Sequence, residues 1–355
     1  MSGGDILRRE ALRLSSLCRR TLDVVENEMK SAIANPCAQP LSQWVRAVLM
    51  PAVLTIGLSN GIAEGADQRV FATPEQATQA LVAALSEGDT ERAESILGAE
   101  GERLLHSGDA VADQKARKRF LAAYAAQHRL AYDGDSKVVL HVGEEDWPLP
   151  IPIIRKNGAW LFDSAAGAEE ILNRRIGRNE LDAIQVCLAV VDAQREYAST
   201  DHDGSGVRTF ARRLASRPRA KDGLYWPTTD DEQPSPLGPL MARAAQEGYP
   251  PSIGGRAAPY HGYFYRILTG QGTHAKGGAY DYLVDGKMLG GFALVAYPAR
   301  YGVSGIMTFI VNHDGAIYEK DLGKETSQLG QSMTLFDPDQ TWRRVESESN
   351  PVPDG

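Results

Sequence analysis

The chain has 355 residues, 43% hydrophobic and 24% charged. That length and composition suit about two globular domains and exclude a disordered chain, a collagen-like repeat and a multi-pass membrane protein. Lys plus Arg number 38 and Asp plus Glu 46, a net charge of -8 with no basic block, which argues against nucleic-acid binding; three cysteines are too few for a disulfide framework.

Residues 1–63 depart from that average. They carry 7 basic and 5 acidic residues, which leaves the remainder at -10. Within them an apolar run of 12 residues extends from Ala47 to Leu58. A membrane-spanning helix needs about 20 residues, so the run is too short to span. It fits the apolar region of a secretory signal peptide, with Gly61-Ile62-Ala63 as the cleavage site and Ala66 as a second one. The 46 residues before the run exceed an ordinary leader, and a start at Met29, with Lys30 beside it, accounts for that. Residues 1–66 are therefore expected to be a leader with an N-terminal extension. The mature chain is expected to be periplasmic or secreted, without a transmembrane span, and to keep only Cys187. That thiol lies among Val186, Leu188 and Val190, the setting of a buried structural cysteine.

Thr73-Pro74-Glu75 predicts a helix start, with Ala77, Leu81, Val82 and Leu85 on its inner face and Gly88-Asp89 as its end. Thr90 is expected to cap a shorter helix through Leu97. A third helix is predicted from Val111 to His128, with Phe120, Leu121 and Tyr124 facing inward. The period then becomes two at Val138, Leu140 and Val142. Pro148, Pro150 and Pro152 demote the next run to an edge strand. Trp160-Leu161-Phe162 ends the sheet. These elements predict an α+β domain over residues 67–172, helices first and then a curled antiparallel sheet, an order similar to cystatin-like or nuclear-transport-factor-like cones.

A second domain is expected over residues 173–348, followed by a disordered tail at 349–355. It opens on a long helix over 168–198, with Asn179 as a capping residue and Leu181, Ile184, Leu188, Val191 and Tyr197 on one face. A Pro- and Gly-rich loop from Thr228 to Pro259 follows. Short strands then alternate with turns. Asp285-Gly286 is a two-residue hairpin signal, and Asn312-His313-Asp314-Gly315 is a second turn. One long helix on an antiparallel meander is a two-layer α+β arrangement.

Four stretches carry a resemblance. They are residues 174–180 (RRIGRNE), 221–227 (KDGLYWP), 277–282 (GGAYDY) and 309–315 (FIVNHDG). The chain resembles the bacterial family known as domain of unknown function 2950, which implies an exported protein and supplies no reaction. The C-terminal half is also similar to pilin-like domains of type II secretion pseudopilins.

The candidate chemistry centres on residues 201–206 (DHDGSG). Asp201, Asp203 and Ser205 alternate, as oxygen ligands of Ca²⁺ do on a tight turn, and Gly206 sits at an EF-hand's sixth position. The twelfth position is Arg212, so an EF-hand is not expected. A bound Ca²⁺ needs further oxygens from Asp230, Asp231 or Glu232, and a simple Asx turn is the competing reading. A His-Asp-Gly triplet occurs at His202-Asp203 and again at His313-Asp314. If the two loops meet, they offer a metal or acid–base site; otherwise both are turns. Residues 302–305 (GVSG) lack the spacing of a nucleophile elbow, and no zinc, phosphate-loop or dinucleotide motif is present. Tyr225, Trp226, Tyr263 and Tyr265 are the expected binding surface for a peptide, a glycan or an envelope protein, set against the alternative that strand aromatics fill the core. The sequence therefore points to a non-enzymatic binding or assembly module of the bacterial envelope. The alternative is an envelope hydrolase that uses the Asp201 and His313 loops.

Overall fold

The computed structural model describes residues 68–229, 231–250 and 258–345. The expected leader, the expected tail and Asp230 lie outside them. The first helix, α1 (Pro74–Glu87), starts where Thr73 Oγ1 accepts the Gln76 amide at 3.2 Å, and ends on left-handed Gly88. Asp89, one residue before the expected cap, holds the Arg92 amide at 3.0 Å and starts α2 (Thr90–Leu97). A short α3 (Gly101–Leu105) follows, then α4 (Ala110–Ala126), capped by Asp109.

The chain then forms an antiparallel sheet from β1 (His128–Asp133), β2 (Lys137–Val142), β3 (Trp147–Pro148), β4 (Ile153–Lys156) and β5 (Ala159–Phe162). Its order is β1-β2-β4-β5, with β3 on β2. The prolines shorten β3 to two residues and leave 149–152 outside the strands, with the Leu149 amide still donating to the Leu140 carbonyl at 2.7 Å. Leu81, Ile96, Val138, Ile153, Trp160 and Phe162 fill the space between this sheet and the first two helices.

Helix α5 (Ser164–Tyr197) is one uninterrupted element of 34 residues, longer at its start than the pattern predicts. Asn179 lies in its middle, so it is not a cap. Its side chain is buried, and Nδ2 donates to the Ser304 carbonyl at 2.9 Å. The inward stripe also differs from the expected one. Ala183, Val186, Cys187, Val190, Val191 and Tyr197 are buried, while Leu181 and Leu188 face outward, Leu181 at 63% exposure. Both stripes have helical spacing, and the smaller side chains win because they let the helix sit close on the second sheet.

That sheet runs in the order β15-β13-β12-β11-β6, every pair antiparallel: β6 (Tyr263–Leu268), β11 (Ala293–Pro298), β12 (Met307–Asn312), β13 (Ile317–Asp321) and β15 (Arg343–Arg344). Short pairs decorate it: β7 (Gly270–Gln271) lies between β8 (Tyr280–Asp281) and β14 (Leu335–Phe336), and β9 (Leu283–Val284) pairs with β10 (Lys287–Met288). The expected hairpin turn is present, with φ of 50° at Asp285 and 75° at Gly286. Helix α6 (Gly238–Gln246) packs Met241 and Ala244 into the same core, and α7 (Thr326–Ser332) adds to it near β11. The architecture is α+β. Helix α5 contributes Ala168 to the first core and its residues from Ala183 onward to the second. Among the described residues no helix is long and apolar enough to cross a membrane.

Candidate functional site

Helix α5 ends in a cluster that gathers most of the residues singled out from sequence. Tyr197 is buried in the last turn, and its hydroxyl donates to the Lys221 carbonyl at 2.6 Å. Burial pushes its phenol up to about 12. The His202 imidazole stacks on the Tyr197 ring with centroids 4.0 Å apart, and its Nε2 lies 3.0 Å from the Tyr197 carbonyl. Trp226 meets both rings edge-on, 5.5 Å from His202 and 6.4 Å from Tyr197. The Lys221 ammonium stands 5.4 Å above the indole. Trp226 and Tyr225 are half-buried. A bridge between Ala215 and Tyr225 and two hydrogen bonds between Ser216 and Gly223 hold this segment.

The Asp201 loop closes over the same end. One Asp201 oxygen accepts the amides of Asp203 (3.2 Å) and Gly204 (3.0 Å), and the other accepts that of Gly206 (2.7 Å). Gly204 and Gly206 have φ of 70° and 76°, which aims those amides inward at no steric cost. Asp203 accepts the Ser205 amide at 3.0 Å, and its second oxygen lies 3.0 Å from Lys287 Nζ on β10. Lys287 also donates to the Ser205 hydroxyl. Bonds from Ser205, then Lys287, hold the Asp203 carboxyl well below the ordinary carboxylate range. Two of the three residues expected to ligate Ca²⁺, Asp203 and Ser205, thus hold an ammonium from the chain itself, while Asp201 holds the loop's own amides. Arg212, the residue at the EF-hand's twelfth position, donates to the Gly286 carbonyl at 2.9 Å and helps hold the hairpin against the loop. Among the described residues no group of three or more His, Cys, Asp or Glu is arranged to hold a metal ion.

The second His-Asp-Gly turn lies near the same helix end, where Arg195 Nη2 lies 3.4 Å from the His313 carbonyl. The two imidazoles are not paired. His313 packs edge-on against Tyr282 and Phe292, while His202 belongs to the Tyr197 and Trp226 rings. Tyr263 and Tyr265 correct the expected binding surface. Both are buried, at 0% and 4% exposure, and their hydroxyls donate to the Met307 and Tyr260 carbonyls. Both point from β6 into the core under α5, so they are packing residues.

A second polar assembly has no counterpart in the sequence motifs. His261 has φ of 50°, a left-handed conformation that costs a non-glycine residue about 1–3 kcal/mol. Its Nδ1 lies 2.8 Å from Asp182 on α5, and its Nε2 lies 3.0 Å from Glu247, just beyond α6. Glu247 also meets Arg243 (3.1 Å) and Lys115 of α4 (3.5 Å). Nearby, buried Asp109 accepts from the Tyr249 hydroxyl and the Gly262 amide, both at 2.9 Å. With both ring nitrogens facing carboxylates, His261 joins three helices and leaves neither nitrogen to a substrate. A groove of about 330 Å³ lies elsewhere, floored by Leu172, Ile176 and Ile306 and rimmed by Glu100, Arg103 and Glu169.

The fold and the helix-end cluster define a two-layer α+β protein with an aromatic and carboxylate surface at the end of its longest helix. The family described as Protein of unknown function (DUF2950) matches residues 68–345, and the chain belongs to that family. No curated protein and no solved structure matches the chain, so the pilin-like and cystatin-like resemblances rest on element order alone.

Proposed function

We propose that this chain is an exported bacterial envelope protein that binds a glycan at the C-terminal end of α5, and that it is not an enzyme. One observation carries this reading: the Asp201 loop and the Tyr225-Trp226 segment, about 20 residues apart in sequence, converge there through the His202 and Trp226 rings. The apolar face of a sugar ring packs on an indole, while its hydroxyls need both donors and acceptors. Trp226 offers part of a ring held rigid by His202 and Tyr197, with the Lys221 ammonium 5.4 Å above it, and His202 itself belongs to the carboxylate-bearing Asp201 loop. A rigid aromatic loses little entropy on binding. Calcium binding at the loop would require the ion to displace Lys287 from Asp203 and Ser205.

The experiment is a calorimetric titration of the protein with soluble peptidoglycan glycan strands. Trp226→Ala is expected to weaken binding at least about tenfold, the effect of one lost aromatic anchor. Unchanged affinity in a variant that still folds would refute the site. Export is read from the mass of protein recovered from its host, which is expected to begin at Glu64 or Asp67. The hydrolase reading draws support from the two His-Asp-Gly turns near one helix end. It expects strand cleavage that is abolished equally by His202→Ala and His313→Ala.

A further inference from the structure

Helix α4 presents an unusual outer face. Gln114, Lys115, Lys118, Arg119, Ala122, Ala125 and Ala126 are exposed along one side of its 17 residues, about 25 Å of surface. No residue of the helix itself on that side is acidic, and Glu247, just beyond α6, meets it at Lys115 (3.5 Å). The helix's one acid, Asp113, is turned in to accept the Ser107 amide at 3.0 Å.

The relay through His261 fixes what lies beside this face. Lys115 touches Glu247, Glu247 touches His261, and His261 touches Asp182 on α5. Arg119 is one turn beyond Lys115, and Arg178 is one turn before Asp182, and the two guanidinium charges are close enough to repel. Packing around the Arg178 guanidinium lowers its pKa, and the Arg119 guanidinium lowers it further. The neighbouring carboxylates, Asp182 and Glu247, are already engaged by His261, Arg243 and Lys115. Arg117, Lys118, Arg119 and Arg178 form no salt bridge among the described residues. On α5 the stripe continues outward from Arg178 through Leu181, Gln185 and Leu188, with Leu181 63% and Leu188 36% exposed. A protein whose body carries an excess of acid thus keeps one cationic face whose neighbouring carboxylates, Asp182 and Glu247, are already paired, edged by outward leucines.

We propose that this α4–α5 face docks on an anionic phospholipid surface. Charge complementarity names the partner. Lys118, Arg119 and Arg178 meet lipid phosphates, and Leu181 and Leu188 enter the interfacial layer, as on amphipathic helices that lie in a bilayer plane. A soluble polyanion would use the cations and leave the leucines in water. The helix-end surface around Trp226 plays no part, so the two proposals stand independently.

The test is co-sedimentation of the full chain with phosphatidylcholine vesicles containing either no anionic lipid or about 30% phosphatidylglycerol. Binding to the anionic vesicles is expected, weaker at about 0.5 M salt, where charges are screened. Lys118→Ala with Arg119→Ala is expected to lower the partition coefficient more than tenfold, at about fivefold per cation. Lys324→Ala, on the exposed turn before α7, is expected to leave it unchanged. Leu181→Ser is expected to weaken binding without changing its salt dependence. Equal binding to neutral vesicles would assign it to another segment, such as the apolar run 47–58, and overturn the proposal. So would anionic binding that ignores the Lys118/Arg119 change, or binding to heparin with none to vesicles.

Discussion

Lys287 shows how tertiary packing sets a charge beside a loop whose own residues have the spacing of cation ligands. Asp201, Asp203 and Ser205 have that spacing, and Asp203 and Ser205 do meet a positive charge. That charge is an ammonium 82 residues away in sequence. No local pattern encodes it, because the β9–β10 hairpin is brought over the loop by tertiary packing. Cys187 is the opposite case, since its apolar neighbours already announce its burial. The thiol is fully buried, and desolvation pushes it up to about 12. Its thiolate is therefore scarce at any pH below that value, and reagent cannot reach it in the folded state. Alkylation at pH 8 followed by peptide mapping is expected to leave Cys187 unmodified in native protein and to label it fully in denaturant. Rapid native labelling would contradict the packing of α5 on the second sheet.

At the scale of elements, turns and caps were the most legible features. Thr73, Gly88 and Asp285-Gly286 act through bonds to near neighbours, so sequence alone places them. The buried face of α5 was not legible. Leu181 and Leu188 satisfy helical periodicity as well as Val186 and Val190 do, and only the partner sheet decides between the stripes. The same helix tests this directly. Leu172 is 4% exposed and Leu181 is 63% exposed. Leu172→Ala is expected to cost about 2–5 kcal/mol in urea unfolding, from lost transfer energy plus a cavity. Leu181→Ala is expected to stay within about 0.5 kcal/mol. Comparable losses at both positions would mean that the outer stripe is covered. Asn179 follows the same logic: it resembles a cap in a pattern that restarts there, yet it spends its amide on Ser304, 125 residues ahead.

At the scale of the whole molecule, the α+β class follows from periodicity and turn chemistry, whereas α6 forms inside the stretch expected as a Pro- and Gly-rich loop, because its apolar face packs into the second core. Periodicity and turn chemistry do not give the grouping of functional side chains. Trp226 and His202 each drew notice in the sequence, but their stacking around Tyr197 depends on how α5 ends. The joining of Asp182, Glu247 and His261 depends on α5, the end of α6 and the turn before β6, and no motif marks it. Tyr263 and Tyr265 drew notice for the wrong reason, because an aromatic-rich strand reads alike whether it lines a core or a surface. Hydrogen exchange with and without saturating peptidoglycan glycan strands reads ligand binding at the end of α5. Slowed exchange is expected, confined to the amides of residues 203–206 and 224–226. Protection centred instead on the Leu172, Ile176 and Ile306 groove, or no protection at all, would contradict it.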